Sequence, residues 1–187
     1  VSEFSMVGVE DNTLVEIIPT ANSLTNSRTA NTKFQITLNK GDVYQYKSNT
    51  DITGTSIKTV GGCKPLAVFS GSTFDSYCDP GNVKVAASGD PLYQQLFPVS
   101  AWGQNFITAP FYNAQNGSAD VIRIQVAKNN TNISVNGSTT SALGTPLNNP
   151  YAAGSVITYV AKVPAKIVSD MPISVAQLQV SQNCASN

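Results

Sequence analysis

The stretch DPLYQQLFPVSAWGQNFITAPF, residues 90–111, decides the fold. It contains the only tryptophan of the chain, Trp102, and three of its ten prolines. So many prolines exclude a regular helix, and so many large apolar side chains are untypical of a flexible linker. We therefore predict an extended junction that ends one β unit and begins the next, whose first strand runs from about residue 105 to 111. The core of this junction is predicted to contain Trp102, Phe97 and Phe106.

The segments on either side of the junction look like copies of one another. Three blocks recur in the same order, and the distance between the copies shrinks from 118 to 113 and then to 107 residues. Ordered blocks with shortening loops are expected of a duplicated β unit, because loops tolerate deletions and paired strands do not. The matching blocks are VEDNT (9–13) with AKNNT (127–131), GDVYQY (41–46) with GSVITY (154–159), and CKPLAV (63–68) with DMPISV (170–175).

Short runs of alternating apolar and polar residues, separated by Gly, Asn, Asp and Pro, indicate strands throughout the chain. Residues 34–38 and 43–46 flank a turn and predict a β-hairpin. The expected fold is all-β, with two tandem related β units that are β-sandwich-like; propeller-like blades are the alternative. The predicted units are residues 1–89 and 90–187, with the junction segment at 90–111.

The composition is apolar enough to form a core, at 41% hydrophobic residues, but it is poor in charge. Charged residues make up 12%, divided equally between 11 basic and 11 acidic residues, compared with about 25% in typical domains. Such a surface does not attract nucleic acid or anionic lipid, and no apolar run is long enough to span a bilayer. We therefore expect no nucleic-acid partner, no membrane insertion, and a secreted or cell-surface location.

Three cysteines, Cys63, Cys78 and Cys184, allow one disulfide and leave one thiol over. A bond between Cys78 and Cys184 would join the two units, whereas a bond between Cys63 and Cys78 would clamp a loop within the first unit. The sequence leaves both pairings open, as well as three reduced thiols. Because histidine is absent and no C-x-x-C pair occurs, a zinc site is not expected.

Nucleophile–base catalysis of the usual kinds is excluded because the chain has no histidine. Two acidic pairs remain, Glu10 with Asp11 and Asp75 with Asp79. Both lie in turn-like segments, where Asp side chains bond to the local backbone. The sequence therefore predicts no enzyme and no cofactor. Calcium is the one ion for which oxygen ligands are present in loops, with Asp11 and Asp79 as candidates.

Two further features are candidates for surface chemistry. Four N-glycosylation sequons lie close together, at Asn116, Asn129, Asn132 and Asn136. Aromatic side chains around the junction would form a sugar- or protein-binding face if they were exposed, although we expect them to be buried. These aromatic residues are Tyr93, Phe97, Trp102, Phe106, Phe111 and Tyr112.

Taken together, the blocks resemble the IgGFc-binding domain family, known from the mucus Fc-binding protein and from surface proteins of animals and bacteria. The resemblance spans nearly the whole chain, and LFPVSAWG (96–103) is its most specific block. It implies an extracellular, non-catalytic, all-β module used in adhesion, mucus or surface assemblies. The other matching blocks are EDNT (10–13), LNKG (38–41), VYQ (43–45), GTSI (54–57), KPLAVFSG (64–71), CD (78–79) and FITAP (106–110).

The predicted function is that of a structural or adhesion module of a surface, mucus or fibre-forming protein. The alternative is a carbohydrate- or protein-ligand-binding domain of the Fc-binding kind. The expected partners are other copies of the chain, other extracellular proteins, or glycans. Exposed strand edges and the odd cysteine would permit self-assembly into fibres.

Overall fold

The computed structural model describes residues 1–75, 89–111, 120–136, 147–161 and 163–179. Within these ranges the chain forms strands, loops and one short 3-10 turn at Val99–Ala101. The strands are β1 (Ser2–Gly8), β2 (Thr13–Ile18), β3 (Phe34–Leu38), β4 (Val43–Ser48), β5 (Ser56–Val60), β6 (Leu66–Asp75), β7 (Asp90–Gln95), β8 (Gly103–Thr108), β9 (Asp120–Val126), β10 (Ile133–Val135), β11 (Val156–Ala161) and β12 (Ala165–Leu178).

The described strands belong to two compact units, but the division differs from the predicted one at residue 90. Unit 1 contains residues 1–75 and also residues 90–97, and the strands from β8 onward belong to unit 2. The difference arises because β7 pairs antiparallel with β6, with Tyr93 opposite Gly71. The first half of the junction therefore completes unit 1. The predicted first strand of the second unit corresponds to β8, which begins and ends slightly earlier than expected.

Unit 1 is built from two open sheets, in the strand orders β4-β1-β6-β7 and β3-β2-β5. Both sheets contribute to one buried apolar cluster, which shows that they face each other across a shared core. The predicted all-β, sandwich-like architecture is confirmed, and the described strands form open sheets rather than propeller blades. The buried cluster consists of Phe4, Met6, Val15, Ile17, Ala21, Phe34, Leu38, Tyr46 and Ile52.

Unit 2 has the strand order β10-β12-β9-β11, and β8 also pairs with β12. The long strand β12 takes part in both layers of this unit. Its first half pairs with β10 and β8, its second half pairs with β9, and its pairing with β8 shifts register between Val168 and Ile173. The core is almost entirely aliphatic and contains Ile122, Ile124, Val126, Ile133, Val135, Ile157, Tyr159, Ala161, Ala165, Ile167 and Ile173.

The two units share the same strand registers. In unit 1, Phe4 lies opposite Tyr46, and in unit 2 Ile122 lies opposite Tyr159, which is the same pair shifted by 118 and 113 residues. The other strand pairings correspond in the same way. The pairing of β1 with β6 matches that of β9 with the second half of β12. The pairing of β2 with β5 matches that of β10 with the first half of β12. The units are therefore structural copies, as the repeated blocks predict.

The turns of the two units also match. Asn12 and Asn130 both adopt positive φ, at 55° and 60°, and so do Gly41 and Gly154, at 86° and 82°. Asn and Gly are the residues that tolerate this left-handed conformation. The next residue after each asparagine is a buried threonine whose hydroxyl donates to the carbonyl three residues earlier, at 2.7 Å in both units. The repeated block therefore encodes one particular turn.

The predicted hairpin of residues 34–46 is not formed. β3 pairs with β2, and β4 pairs with β1 in the other sheet, so the turn between them crosses from one layer to the other. The turn itself is well defined, since the Asp42 carboxylate accepts from the Asn39 amide at 2.8 Å. Alternation and turn residues specify two strands and a reversal, but the burial of both apolar faces decides which strands pair.

Candidate binding surface

Several large apolar side chains of unit 1 are exposed on and directly after its edge strand β7. Tyr93 is 53% exposed, Leu96 49% and Phe97 72%. Together with Phe69 of the neighbouring strand β6, these residues are called the β7 surface below. Exposed apolar side chains of this size mark binding sites on soluble proteins when they form a contiguous patch. This surface is therefore the strongest candidate for a functional site in unit 1.

A glycine positions the aromatic part of the β7 surface. Tyr93 lies opposite Gly71 on β6, and a Cβ atom on Gly71 would lie 1.7 Å from the carbonyl oxygen of Leu92. Only glycine therefore lets β7 approach β6 this closely. The Tyr93 ring stacks on Phe69, with centroids 5.7 Å apart and parallel ring planes. The result is an ordered aromatic platform that remains half exposed.

The prediction that Phe97 belongs to a buried junction core is wrong. The Leu96 amide still donates to the Val68 carbonyl at 2.8 Å, but residues 96–98 lie outside any strand. Phe97 follows the strand and remains exposed. Phe106 is partly buried and packs against the core of unit 2. Trp102 is partly buried at the end of the 3-10 turn.

The remaining aromatic candidates have different environments. Phe111 is exposed, contrary to the expectation that the aromatic residues of the junction are core. Its amide donates to the Asp120 carboxylate at 2.6 Å. Tyr112 lies outside the described residues.

The outer faces of unit 1 carry two small ionic clusters. Glu3 on β1 accepts from Gln45 at 2.8 Å and pairs with Lys47 at 3.6 Å. Glu16 on β2 pairs with Lys58 at 2.9 Å and with Lys33 at 3.5 Å. The hydrogen bond from Lys58 lowers the pKa of Glu16, and partial burial opposes this shift. Both carboxylates are compensated by cations, which is typical of sheet-stabilising pairs.

The comparison with protein families decides what kind of chain this is. The family model described as IgGFc binding protein matches residues 1–187, which is the whole chain. The chain belongs to this family. The family is one of extracellular binding or structural modules. No curated protein and no solved structure matches the chain. In the described part of this IgGFc-binding family member, no helix is long and apolar enough to cross a membrane.

The acidic candidate Asp11 of this family member has a structural role. Asp11 accepts from the Lys40 amide at 3.0 Å, and its counterpart in unit 2, Asn129, accepts from the Ala153 amide at 2.9 Å. Because the uncharged side chain of Asn129 accepts the equivalent hydrogen bond in unit 2, this hydrogen bond does not require the charge of Asp11. Asp79 lies outside the described residues, among which no group of three acidic or cysteine side chains is placed to hold a metal.

The cysteines are described only in part. Cys63 follows β5, is exposed, and has a free thiol. The free thiol of Cys63 contradicts the alternative bond between Cys63 and Cys78. Cys78 and Cys184 lie outside the described residues, so a bond between these two stays one of the alternatives that the sequence leaves open.

Three of the four sequon asparagines are described, and each stabilises a turn of unit 2 through its side chain. Asn129 accepts from Ala153 as noted above, and Asn136 accepts from the Lys166 amide at 2.8 Å. Asn132 donates its side-chain amide to Asp170 at 2.7 Å. Asn116 lies outside the described residues. The three described sequon asparagines are therefore turn-forming residues, and glycosylation of the four positions stays a prediction.

Unit 1 also has a shallow depression of about 400 Å³. It forms where the loop after β2 folds over the end of β4. Its lining contains no charged side chain and only small polar groups with three apolar neighbours, so it lacks the convergent polar groups of a small-molecule site. Among the residues that line it are Thr20, Asn22, Ser23, Leu24, Ser48 and Thr50.

Proposed function

We propose that this chain is a non-catalytic adhesion module of an extracellular or cell-surface protein, and that it binds a protein partner through the β7 surface. The observation that carries the proposal is the exposure of Tyr93 on the edge strand β7 and of Leu96 and Phe97 directly after it. Centres of protein interfaces are enriched in aromatic residues and depleted of charge. The β7 surface has this composition.

The chemistry of the β7 surface favours a protein over other partners. Leu96 and Phe97, which follow β7 directly, add exposed apolar area that suits an apolar side chain of a partner. The equal numbers of acidic and basic residues give no attraction for a polyanion. The Fc fragment of immunoglobulin G is the first partner to test, because the family description names it.

Carbohydrate binding is the second candidate, and one observation favours it. The Tyr93 ring is fixed by its stack on Phe69 and is still half exposed, which is the arrangement that a sugar ring needs in order to stack. A glycan would depend on Tyr93 alone, whereas a protein partner would depend on Leu96 and Phe97 as well. The two candidates are therefore separable by mutation.

The proposal includes no cofactor and no catalytic step. The two carboxylates that are largely buried on the sheets of unit 1, Glu3 and Glu16, are each paired with lysine. Assembly with other copies of the chain into fibres or mucus networks belongs to the same class of adhesive function, and it would use the same surface or an open strand edge.

Surface plasmon resonance tests the proposal with three immobilised probes: the Fc fragment, purified mucin and the chain itself. We expect saturable binding to at least one probe, and at least about a tenfold loss of affinity in Leu96→Ser and Phe97→Ser, since buried apolar anchors dominate interface energies. Leu24→Ser is the matched control, because Leu24 is also about half exposed on unit 1 but lies away from β7.

Binding that is equally sensitive to Leu24→Ser and Leu96→Ser would refute the β7 surface as the site. Absence of binding to all three probes would refute the proposed protein partner. A glycan array supplies the second arm. Hits that disappear in Tyr93→Ala and persist in Phe97→Ser would replace the protein partner with a sugar.

A further inference from the structure

We infer that unit 2 binds a monovalent cation of the sodium class at one end of its core, through the carboxylate of Asp120 and the hydroxyls of Thr108 and Tyr159. The site is structural and does not depend on the β7 surface, which belongs to unit 1. It rests on two buried polar atoms of unit 2 that have no hydrogen-bond partner within the described ranges.

Asp120, the first residue of β9, carries a buried carboxylate and is only 1% exposed. Its Oδ2 atom accepts from the Phe111 amide at 2.6 Å and from the side-chain amide of Gln177 at 2.7 Å. Its Oδ1 atom accepts no hydrogen bond, and none of the ion pairs between described residues includes Asp120. A buried carboxylate oxygen without a donor or a cation is strongly unfavourable, so this atom requires a ligand.

Tyr159 on β11 supplies the second polar atom without a partner. Its side chain is 3% exposed, and its hydroxyl forms no hydrogen bond with the described residues. Burial raises the pKa of Tyr159 and the nearby Thr108 hydroxyl opposes this shift, so the two hydroxyls are neighbours. Thr108 is buried too, and its hydroxyl has only a long contact of 3.4 Å with the Ala165 carbonyl. Two neutral oxygen atoms therefore retain lone pairs for a ligand.

The register of β9 and β11 places the carboxylate near the Tyr159 ring. Asp120 lies opposite Ala161, which is two residues from Tyr159 on the same strand. The two polar side chains therefore project from the same face of the sheet as diagonal neighbours, a relation in which long side chains are within reach. The side chain between them belongs to Ala161, which is completely buried and small.

The end of β8 approaches the same carboxylate. The Gln177 side-chain amide that donates to Asp120 also donates to the Ala109 carbonyl at 2.7 Å. Ala109 directly follows Thr108, whose position opposite the buried Ala165 ends the pairing of β8 with β12. Charged and neutral oxygen atoms from three strands are thus brought to one end of the core.

Unit 1 has no comparable need at the equivalent position. The counterpart of Tyr159 is Tyr46, whose hydroxyl donates to the Ala21 carbonyl at 2.7 Å. The counterpart of Asp120 is Ser2, which carries no charge. The requirement for a ligand therefore arose with the carboxylate of unit 2.

The charge of these side chains selects the class of cation. Oxygen ligands suit hard cations. One carboxylate supplies a single negative charge, which a monovalent cation neutralises, whereas calcium would leave a net positive charge in the core. A water molecule would donate to the carboxylate but would leave its charge without compensation. Because the family is extracellular, sodium is the monovalent cation to test.

The test compares thermal unfolding of the intact chain in sodium chloride, calcium chloride and N-methylglucamine chloride at equal ionic strength. We expect the midpoint to rise with sodium concentration and to saturate, because a ligand that binds only the folded state stabilises it. N-methylglucamine is too large for a buried site and provides the baseline. Excess relaxation of the ²³Na NMR signal measures binding directly in the same samples.

Three variants assign the response to the site. Asp120→Asn should weaken sodium binding at least about tenfold, because it removes the only charged ligand. Tyr159→Phe deletes one hydroxyl and preserves the ring, so it should weaken sodium binding while the unit stays folded. Tyr46→Phe is the matched control: it deletes the equivalent hydroxyl of unit 1 and should leave the sodium affinity unchanged.

Equal midpoints in sodium chloride and N-methylglucamine chloride would overturn the inference in favour of a buried water. A larger rise in calcium chloride than in sodium chloride would contradict the monovalent class. Sodium binding of wild-type strength in both Asp120→Asn and Tyr159→Phe would show that the cation binds elsewhere.

Discussion

Units 1 and 2 have the same backbone plan but fill it with different side chains. Unit 1 has an aromatic core in which Phe4 stacks on Tyr46 with centroids 5.1 Å apart, whereas Ile122 takes the position of Phe4 in unit 2. Unit 2 is filled mainly by isoleucine and valine. Strand registers and turns therefore specify this fold, while the core tolerates side chains of different shapes.

The surfaces of the units differ more than their cores. Glu16 in unit 1, with its lysine partners, corresponds to Ser134 in unit 2, and Glu3 corresponds to Val121. β7 flanks the first sheet of unit 1, whereas β8 flanks the other layer of unit 2. The copies have therefore diverged at their edges and outer faces.

The largest expected effect comes from truncating equivalent core residues. Met6→Ala in unit 1 and Ile124→Ala in unit 2 should each cost about 2–5 kcal/mol, because both side chains are completely buried. Urea unfolding measures the cost, and hydrogen exchange should show the loss of protection in the mutated unit. Ile107→Ala is the control, since Ile107 is 83% exposed. A cost below about 1 kcal/mol in one unit alone would show that the two cores are not equivalent.

Substitution of the turn glycines should destabilise the two units by smaller and equal amounts. Gly41→Ala and Gly154→Ala each force a side chain into the left-handed region, at φ of 86° and 82°, which costs about 1–2 kcal/mol. Asparagine at the same positions should recover part of this loss. Thermal unfolding of the four variants is the measurement. Clearly unequal costs would contradict the equivalence of the two turns.

The buried threonines should give a third matched pair. Thr13→Val and Thr131→Val remove the hydroxyl that donates to Glu10 or Lys128 and leave the shape unchanged, so each should cost about 1 kcal/mol. Urea midpoints of the single and double variants test both the size and the additivity expected for independent sites. A neutral result at one position only would mean that its turn is held in another way.

The smallest expected effect is on stability at acidic pH, and each substitution should affect only one of the two units. The pKa of Glu16 is lowered chiefly by its hydrogen bond from Lys58, and the pKa of Asp170 by hydrogen bonds from Asn132. A carboxyl whose folded pKa is depressed stabilises fully above its ordinary value of about 4, and this contribution is lost as the pH falls through the folded value. Glu16→Gln should therefore reduce the loss of stability of unit 1 at acidic pH, and Asp170→Asn should reduce that of unit 2.

Hydrogen exchange between pH 5 and pH 3, resolved by unit, measures this difference. Glu10→Gln is the control for a change of charge in an exposed turn of unit 1. An acid slope that is unchanged in both variants would show that neither carboxylate is coupled to folding.

Much of the fold could be predicted from the sequence because the repeated blocks carry turn residues. The shifts of 118, 113 and 107 residues between the blocks reappear in the paired strands. What failed was the choice of pairing partners: residues 34–46 form no hairpin, and β7 joins unit 1. Local alternation does not encode which edge a strand completes, since that depends on burial across the whole unit.

The candidate site could be predicted only in part. The aromatic junction was recognisable from its composition, but the exposure of Phe97 and Tyr93 was not, because a run of apolar residues has the same pattern in a core and on a binding face.

Cross-strand NMR contacts between α-protons test the central claim, the duplicated backbone plan, most directly. Every contact between β1 and β4 should have a counterpart between β9 and β11, displaced by 118 residues on the first strand and 113 on the second. Contacts of β9 with β11 that are displaced by one residue would contradict the account, because they would turn Ile122 and Ile124 out of the core.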